Sequence, residues 1–228
     1  MGQVPYAIVG DGKVAGHIRR YFSLLGVPYR NWPHEETSQC NIILVLISDG
    51  AIEDFITNNR KKFPNARHFV HFSGSLHAAN AVGMHPLMTF NDQPDSYSLE
   101  TYKNIVFVGE KGNPAFSDIF PDLANRYIEI EAEKKPLYHA LCVISGNFTS
   151  ILWQEVFKEF EELQLPPEIL QPYMNQVFAN LANSPFNSLT GPLDRKDKKT
   201  IKNNLAALDG MPLKNIYRAF LKLKGISL

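Results

Sequence analysis

Cysteine is nearly absent. Only Cys40 and Cys142 occur in 228 residues, each beside an apolar run and neither in a CxxC pair. That pattern argues against a disulfide framework and a cysteine-based metal site, so no metal is expected. Isolated thiols of this kind suit a reducing compartment. No apolar run reaches the ~20 residues of a transmembrane helix. The opening MGQVPYAIVG lacks the basic start and cleavage site of a signal peptide. It also has Tyr6 where a myristoylation signal needs Ser or Thr. Neither sign of charge is in excess: 23 Lys and Arg balance 23 Asp and Glu. A neutral chain has no electrostatic reason to seek nucleic acid or an anionic membrane. The expectation is a soluble, cytoplasmic protein with neither partner. No repeat or low-complexity tract is present either.

What is present is an ordinary globular composition, 44% apolar and 20% charged. The first half alternates short apolar runs with helical stretches. VPYAIVG (4–10) reads as a buried strand, and KVAGHIRRYFSLLG (13–26) as a helix with Val14, Ile18, Phe22 and Leu25 on one face, ended by Gly26. VPYRNW (27–32) is a short strand cut off by Pro33, and CNIILVLIS (40–48) a strand apolar enough to be covered on both faces. A helix at 50–63 follows, then a strand at 66–74, extended segments at 81–90 and 104–110, a helix at 114–127 and a last strand at 128–131. This order predicts an α/β fold, a doubly wound Rossmann-like parallel sheet with right-handed crossovers. After about Glu131 the pattern is helical: a long, mostly buried helix at 133–165, then helices at 167–184, 198–210 and 213–225, with a loop at 185–197. Two domains are expected, a dinucleotide-binding one at 1–131 and a helical one at 132–228.

The turn after the first strand is the most informative stretch. Gly10-Asp11-Gly12-Lys13-Val14-Ala15 fits G-x-G-x-x-G/A between a strand and a helix. Gly10 permits the tight turn, Gly12 leaves main chain bare for a pyrophosphate, and Ala15 lets helix and strand pack closely. The helix N-terminus supplies N–H groups and partial positive charge. A plain strand–helix bend is the alternative. An acid about 20 residues on suits NAD, and an arginine suits NADP. Arg30 and Asn31 occupy that place, whereas Glu35 and Glu36 follow Pro33. NADP is therefore expected over NAD, with Ser48 and Ser73, at the ends of later strands, as further cofactor contacts.

VHFSGSLHAANAVGMHPLMTF (70–90) sets polar residues at the ends of apolar runs, where open parallel sheets bind ligands. His71, Ser73, Gly74 and His85 are candidates for contact with a small-molecule substrate. His71 is also a candidate for proton transfer. Buried, backbone-bonded histidines and simple turn chemistry would account for them equally well. On the long helix, His139 and Asn147 fall near one face, His139 as an acid or base and Asn147 as a residue that orients a substrate oxygen. A structural helix contact is the alternative. In NSLTGPLDRKDKKTI (187–201), Asp197 reads as a helix cap. Arg195 is able to hold a substrate carboxylate, or to form a surface ion pair.

Taken together, HFSG (71–74), HPLMTF (85–90), LYHA (137–140) and TGPLDRKDKKTI (190–201) resemble the DUF2520 family of Rossmann-like proteins of unassigned function. Met88, Lys196 and Gly146 stand where that pattern has glutamine, glycine and serine. More distantly, the chain looks like pyrroline-5-carboxylate reductase, ketopantoate reductase and the coenzyme-F420-dependent NADP reductases. That resemblance implies hydride transfer between NADP and a C=O or C=N bond, and a helical domain that often dimerises. It supplies no catalytic lysine, since Lys134 and Lys135 sit at the helix start. A non-catalytic dinucleotide sensor or scaffold is the alternative function. The apolar richness of the helical part points to a homodimer through it.

Overall fold

Residues 4–33 and 36–227 are described in a computed structural model of the chain. Glu35 lies outside them. The chain separates into two compact units, Met1–Phe148 and Thr149–Leu228.

The first unit is built on seven strands in the order β2-β1-β3-β4-β5-β6-β7. They are β1 (Tyr6–Val9), β2 (Tyr29–Asn31), β3 (Ile42–Val45), β4 (His68–His71), β5 (Val82–Leu87), β6 (Val106–Glu110) and β7 (Tyr127–Ile130). The order reverses at β1, which pairs in parallel with both β2 and β3. Alternation along β1 sorts the core into two layers. Tyr6 and Ile8 pack with Ile18, Tyr21 and Phe22 of α1 (Lys13–Leu25). Ala7 and Val9 face the other way, with Ile52 and Ile56 of α2 (Ile52–Asn59). Every residue of β1 and β3 is buried, as the continuous apolar runs predicted. Gly26 ends α1 in the left-handed region at φ 71°, returning its N–H and that of Val27 to the last turn.

Three expectations are corrected. The sheet is mostly rather than wholly parallel, because β6 runs antiparallel to β5, with His85 opposite Val108. The reason lies in the connection: a short α3 (Leu99–Lys103) follows β5 and returns the chain without a full crossover. The helix expected at 114–127 shrinks to α4 (Phe116–Ile119), which Pro121 prevents from continuing. The long helix is not mostly buried. α5 (Lys135–Cys142) passes into a π-helical segment, Val143–Phe148, and Leu137, Leu141, Ile144 and Phe148 are all exposed. Their spacing of four, three and four makes one apolar stripe that the fold leaves uncovered.

The second unit contains α6 (Thr149–Glu162), α7 (Gln171–Asn183), a short α8 (Gly191–Asp194) inside the expected loop, α9 (Lys198–Ala207) and α10 (Leu213–Leu223). Asp197 caps α9 through the Thr200 amide at 3.1 Å, as its position predicted. Leu170, Ile201 and Leu221 are buried, while Phe186 is fully exposed. No described helix is long and apolar enough to cross a membrane.

Candidate nucleotide site and histidine cluster

The carboxyl ends of β1, β3 and β4 frame a cavity of about 350 Å³ at the point where strand order reverses. Gly10 to Val14, Leu46 to Asp49, Phe72 and Ser73 line it. Ligands of open α/β sheets sit at this place. Gly10 is required twice over: its φ is +108°, and a Cβ there would lie 2.2 Å from the Leu46 carbonyl oxygen. Gly12 is different. Its φ of −72° suits any residue, and an added Cβ would meet nothing within 4 Å. The site therefore needs no glycine there for its own geometry; what glycine preserves is open space over the first turn of α1. No side chain caps that turn, so its leading N–H groups are offered outward. Ala15 is buried against the sheet, as expected.

The flanking side chains are more organised than the sequence indicated. Arg19 of α1 donates through Nη2 to the Gly10 carbonyl at 2.5 Å and to Asp11 Oδ1 at 2.7 Å. Its Nε donates to Asn31 Oδ1 at 2.7 Å. One guanidinium thus ties the glycine turn to the end of β2 and neutralises the Asp11 carboxylate beside the cavity. Only its partners reveal this role, for Arg19 reads in sequence as a solvated helix residue. Lys13 is half exposed and paired with Asp92 at 3.0 Å. Arg30 is exposed and in register with Ala7, and makes no ion pair among the described residues. Ser48 is exposed at the cavity edge, just before the turn into α2.

Behind the cavity the loop after β4 is tightly bonded. Ser73 Oγ donates to Asp49 Oδ2 at 2.5 Å and accepts the amides of Ser75 and Leu76 at 3.3 and 3.0 Å. Its hydrogen-bonding capacity is used in holding the loop. His71 is wholly buried and its Nδ1 accepts the Ser73 amide at 3.3 Å, so its proton sits on Nε2, which has no partner. Burial, with the positive charge of Lys135 adding to it, pushes His71 down to about 4. His71 is then neutral in the fold but titrates near 6.5 when unfolded. The unfolded chain binds the extra proton between those values, so stability falls as pH drops from about 6.5 to 4. We expect His71 to account for about 2–3 kcal/mol of that fall. Urea midpoints at pH 7, 5.5 and 4.5 measure it, and His71→Gln should flatten the slope. A wild-type midpoint constant across that window would refute the assignment.

Gly74 brings two imidazoles together. A Cβ there would stand 2.4 Å from His139 Cδ2 and 3.1 Å from His85 Cδ2. The two rings meet edge to face with centroids 5.8 Å apart. Tyr138, one residue before His139, reaches His85 Nδ1 at 2.7 Å. Asn147 is exposed within the π-helical segment. Eight residues of α-helix turn about 80° past two full turns, and the wider π turns bring Asn147 back toward the His139 face. Arg195 belongs to the second unit, exposed at the end of α8 and without an ion pair among the described residues.

A buried ion pair was not foreseen. Lys135 is 2% exposed; its Nζ donates to Glu110 Oε1 at 2.6 Å and to the Leu76 carbonyl. Glu110 Oε2 meets His77 Nδ1 at 2.5 Å. Desolvation alone would raise the Glu110 carboxyl, but the bonds from Lys135 and His77 outweigh it and hold the group below its ordinary range. Gly83 makes room for the pair: a Cβ there would lie 2.6 Å from Lys135 Nζ. Among the described residues, no group of three or more His, Cys, Asp or Glu side chains comes together as a metal site.

Comparison with solved structures sets the chain beside NAD(P)-dependent oxidoreductases. It is similar to a candidate NADP oxidoreductase from Bacteroides fragilis, at 18% identity and TM-score 0.78 over 97% of this chain and 98% of that one. A protein from Thermotoga maritima aligns at 24% identity and TM-score 0.70, covering 96% of each chain. Pyrroline carboxylate reductase from Plasmodium falciparum, solved with NADP bound, aligns at 11% identity and TM-score 0.61 over 98% and 97%. At these identities the likeness establishes a Rossmann-like fold. No curated protein matches the sequence. A family model described as a domain of unknown function, DUF2520, matches residues 107–223. That stretch is more than half of the 228 residues, and the chain belongs to the DUF2520 family.

Proposed function

We propose that the protein is an NADP-dependent oxidoreductase acting on a C=O or C=N bond of a small molecule. The observation that carries this reading is the open space over Gly12, at the uncapped start of α1, facing a cavity at the strand-order reversal. Gly10, Asp11, Gly12, Lys13 and Val14 would hold the pyrophosphate through main chain, with Ala15 seating the helix. Ser48 and the Ser73 loop would form the opposite wall. When bound, the nicotinamide supplies or accepts the hydride. The chain's own residues bind, orient and move a proton. Gly74 and His85 would contact the substrate. His139, which makes no side-chain hydrogen bond among the described residues, is the candidate acid or base, with Asn147 orienting an oxygen. His71, wholly buried, would hold the Ser73 loop rather than touch substrate. Arg195 has its guanidinium available for a carboxylate.

NADP rather than NAD is supported by Arg30 and by the absence of a carboxylate at Asn31, whose amide oxygen already accepts from Arg19. Calorimetry should show NADPH binding. Arg30→Ser should weaken it about 10- to 100-fold while leaving NADH little changed. Failure of the wild type to bind either nucleotide would end this reading. Equal losses for both nucleotides in Arg30→Ser would remove only the preference.

A binding-only role has one observation in its favour: Lys135, a lysine close to the histidine cluster, is consumed in a buried ion pair. NADPH oxidation assayed against small keto and imino acids separates the two readings. The exposed stripe from Leu137 to Phe148 and the exposed Phe186 support a homodimer through the helical part, from about residue 132. Light scattering that gives the mass of one chain would exclude it.

A further inference from the structure

We infer that Tyr138 is a positioning residue that locks His85 in its Nε2–H form, making His85 a fixed hydrogen-bond donor to an anionic or carbonyl oxygen of the substrate. The role assigned to the oxygen rests on the reading of the site given above; the lock itself does not.

Neutral imidazole has one donor nitrogen and one acceptor. Nδ1 of His85 lies 2.7 Å from the Tyr138 hydroxyl, with the rings edge-on at 79°. A phenol is a far stronger acid than an imidazole N–H, and an imidazole nitrogen a stronger base than a phenol oxygen. The hydrogen therefore runs from Tyr138 to Nδ1, which leaves the ring's own proton on Nε2. Cys142, one turn further along α5, adds to burial in holding the Tyr138 phenol above its ordinary range, so the hydroxyl keeps its proton as a donor. The donor then points in one direction, from Tyr138 to His85.

The charge state agrees. The groups facing His85 are His139 and Lys135, which disfavour a second proton, and Asp49, which favours it. Burial is the largest influence, and together they push His85 down to about 4. A ring that stays neutral through the physiological range keeps its single N–H as a donor and does not give it up.

The atom of His85 that faces Gly74 is Cδ2, which is bonded to Nε2. The donor edge therefore lies beside the Ser73–Gly74 main chain, next to the same edge of His139. A side chain at position 74 would strike both rings. A neutral N–H beside a second imidazole and within the influence of Lys135 suits an electronegative oxygen and rejects an ammonium group.

The lock is tested without cofactor, on protein labelled with ¹⁵N-histidine. Two-bond proton–nitrogen correlation reads the tautomer, and His85→Gln identifies the His85 signals. Wild type should show a neutral His85 with Nε2 protonated from pH 8 to about 5. Tyr138→Phe, which keeps the ring and should keep the circular dichroism spectrum, is expected to give a mixture of tautomers. Cys142→Ala should leave Nε2 protonated. A wild-type His85 protonated on Nδ1, or charged at pH 6, overturns the inference. So does a tautomer unmoved by Tyr138→Phe. The donor role is read by titrating acetate against sodium chloride at matched ionic strength: acetate should shift the His85 Nε2–H signal, and methylammonium should not. An unmoved signal with acetate overturns that half. Loss of NADPH binding, measured separately, would remove the enzymatic reading and leave the lock as measured.

Discussion

Gly12→Asp is expected to weaken NADPH binding by more than ~100-fold, about 2.7 kcal/mol, while the protein stays folded. Gly12 is the N-cap residue of α1, at φ −72° and ψ 178°, an extended conformation open to every residue type. Nothing stands within 4 Å of an added Cβ, so the substitution meets no clash in the fold. Aspartate is a favoured N-cap, and the new carboxylate would accept from the first amides of α1, changing stability by a few tenths of a kcal/mol at most. Those amides are the ones a diphosphate would use. The variant would also set a negative charge in the cavity already flanked by Asp11 and Asp49. Asp11 is already compensated by Arg19 at 2.7 Å and Asp49 engaged by Ser73 at 2.5 Å, so the new carboxylate would add to the negative charge of the cavity. Calorimetry for NADPH and a thermal melt, run on the same sample, check the two halves. An affinity within threefold of wild type would mean that the nucleotide does not use this turn. Gly12→Ala should fall between, since a methyl group occupies space without bringing charge.

Breaking the buried pair with Lys135→Met should destabilise the first unit by about 3–5 kcal/mol. Glu110 is 5% exposed and Lys135 2%, so neither charge has water to fall back on. Removing the lysine leaves a carboxylate bonded only to His77, with the Leu76 carbonyl also losing its donor. The pH dependence should change sign with it. In the wild type the Glu110 carboxyl is held low, so its contribution is present above about pH 4.5 and is lost as acid protonates it. In the variant only His77 still opposes burial, and the carboxyl is expected to rise above that value. Its contribution is then largest in acid and fades as pH rises. Urea unfolding at pH 5 and pH 7 reads both effects. Lys135→Met combined with Glu110→Gln should recover part of the loss, because the isolated charge is gone. A single variant within 1 kcal/mol of wild type would show that water reaches the pair. Lys135 opens the helix that carries Tyr138 and His139.

Much of this architecture was legible in residue order. The unbroken apolar run at 42–45 specifies a strand covered on both faces, and the period of Ile18 and Phe22 specifies which side of α1 is buried. Gly10 and Gly12, between a strand and a helix, announce the turn because main-chain sterics are local. His71, Ser73 and His85 were marked by polarity at the ends of apolar runs and His139 by its place on an apolar helix, and all four converge on Gly74 or hold its loop. None of these inferences needs more than a dozen consecutive residues.

What only the folded chain decided is which distant side chains meet. The antiparallel turn of β6 places Glu110 near Lys135, 25 residues away, yet Glu110 reads in sequence as a solvated strand end and Lys135 as one of two surface lysines. Tyr138 finds His85 across 53 residues, and Arg19 finds Asn31 through the parallel pairing of β1 with β2. The exposed stripe from Leu137 has a helical period that looks buried until nothing is seen to cover it. Hydrophobic period and glycine sterics act between near neighbours and leave a local trace. A hydrogen bond or ion pair between remote groups costs the sequence one ordinary polar residue at each end, and that residue carries no sign of its partner.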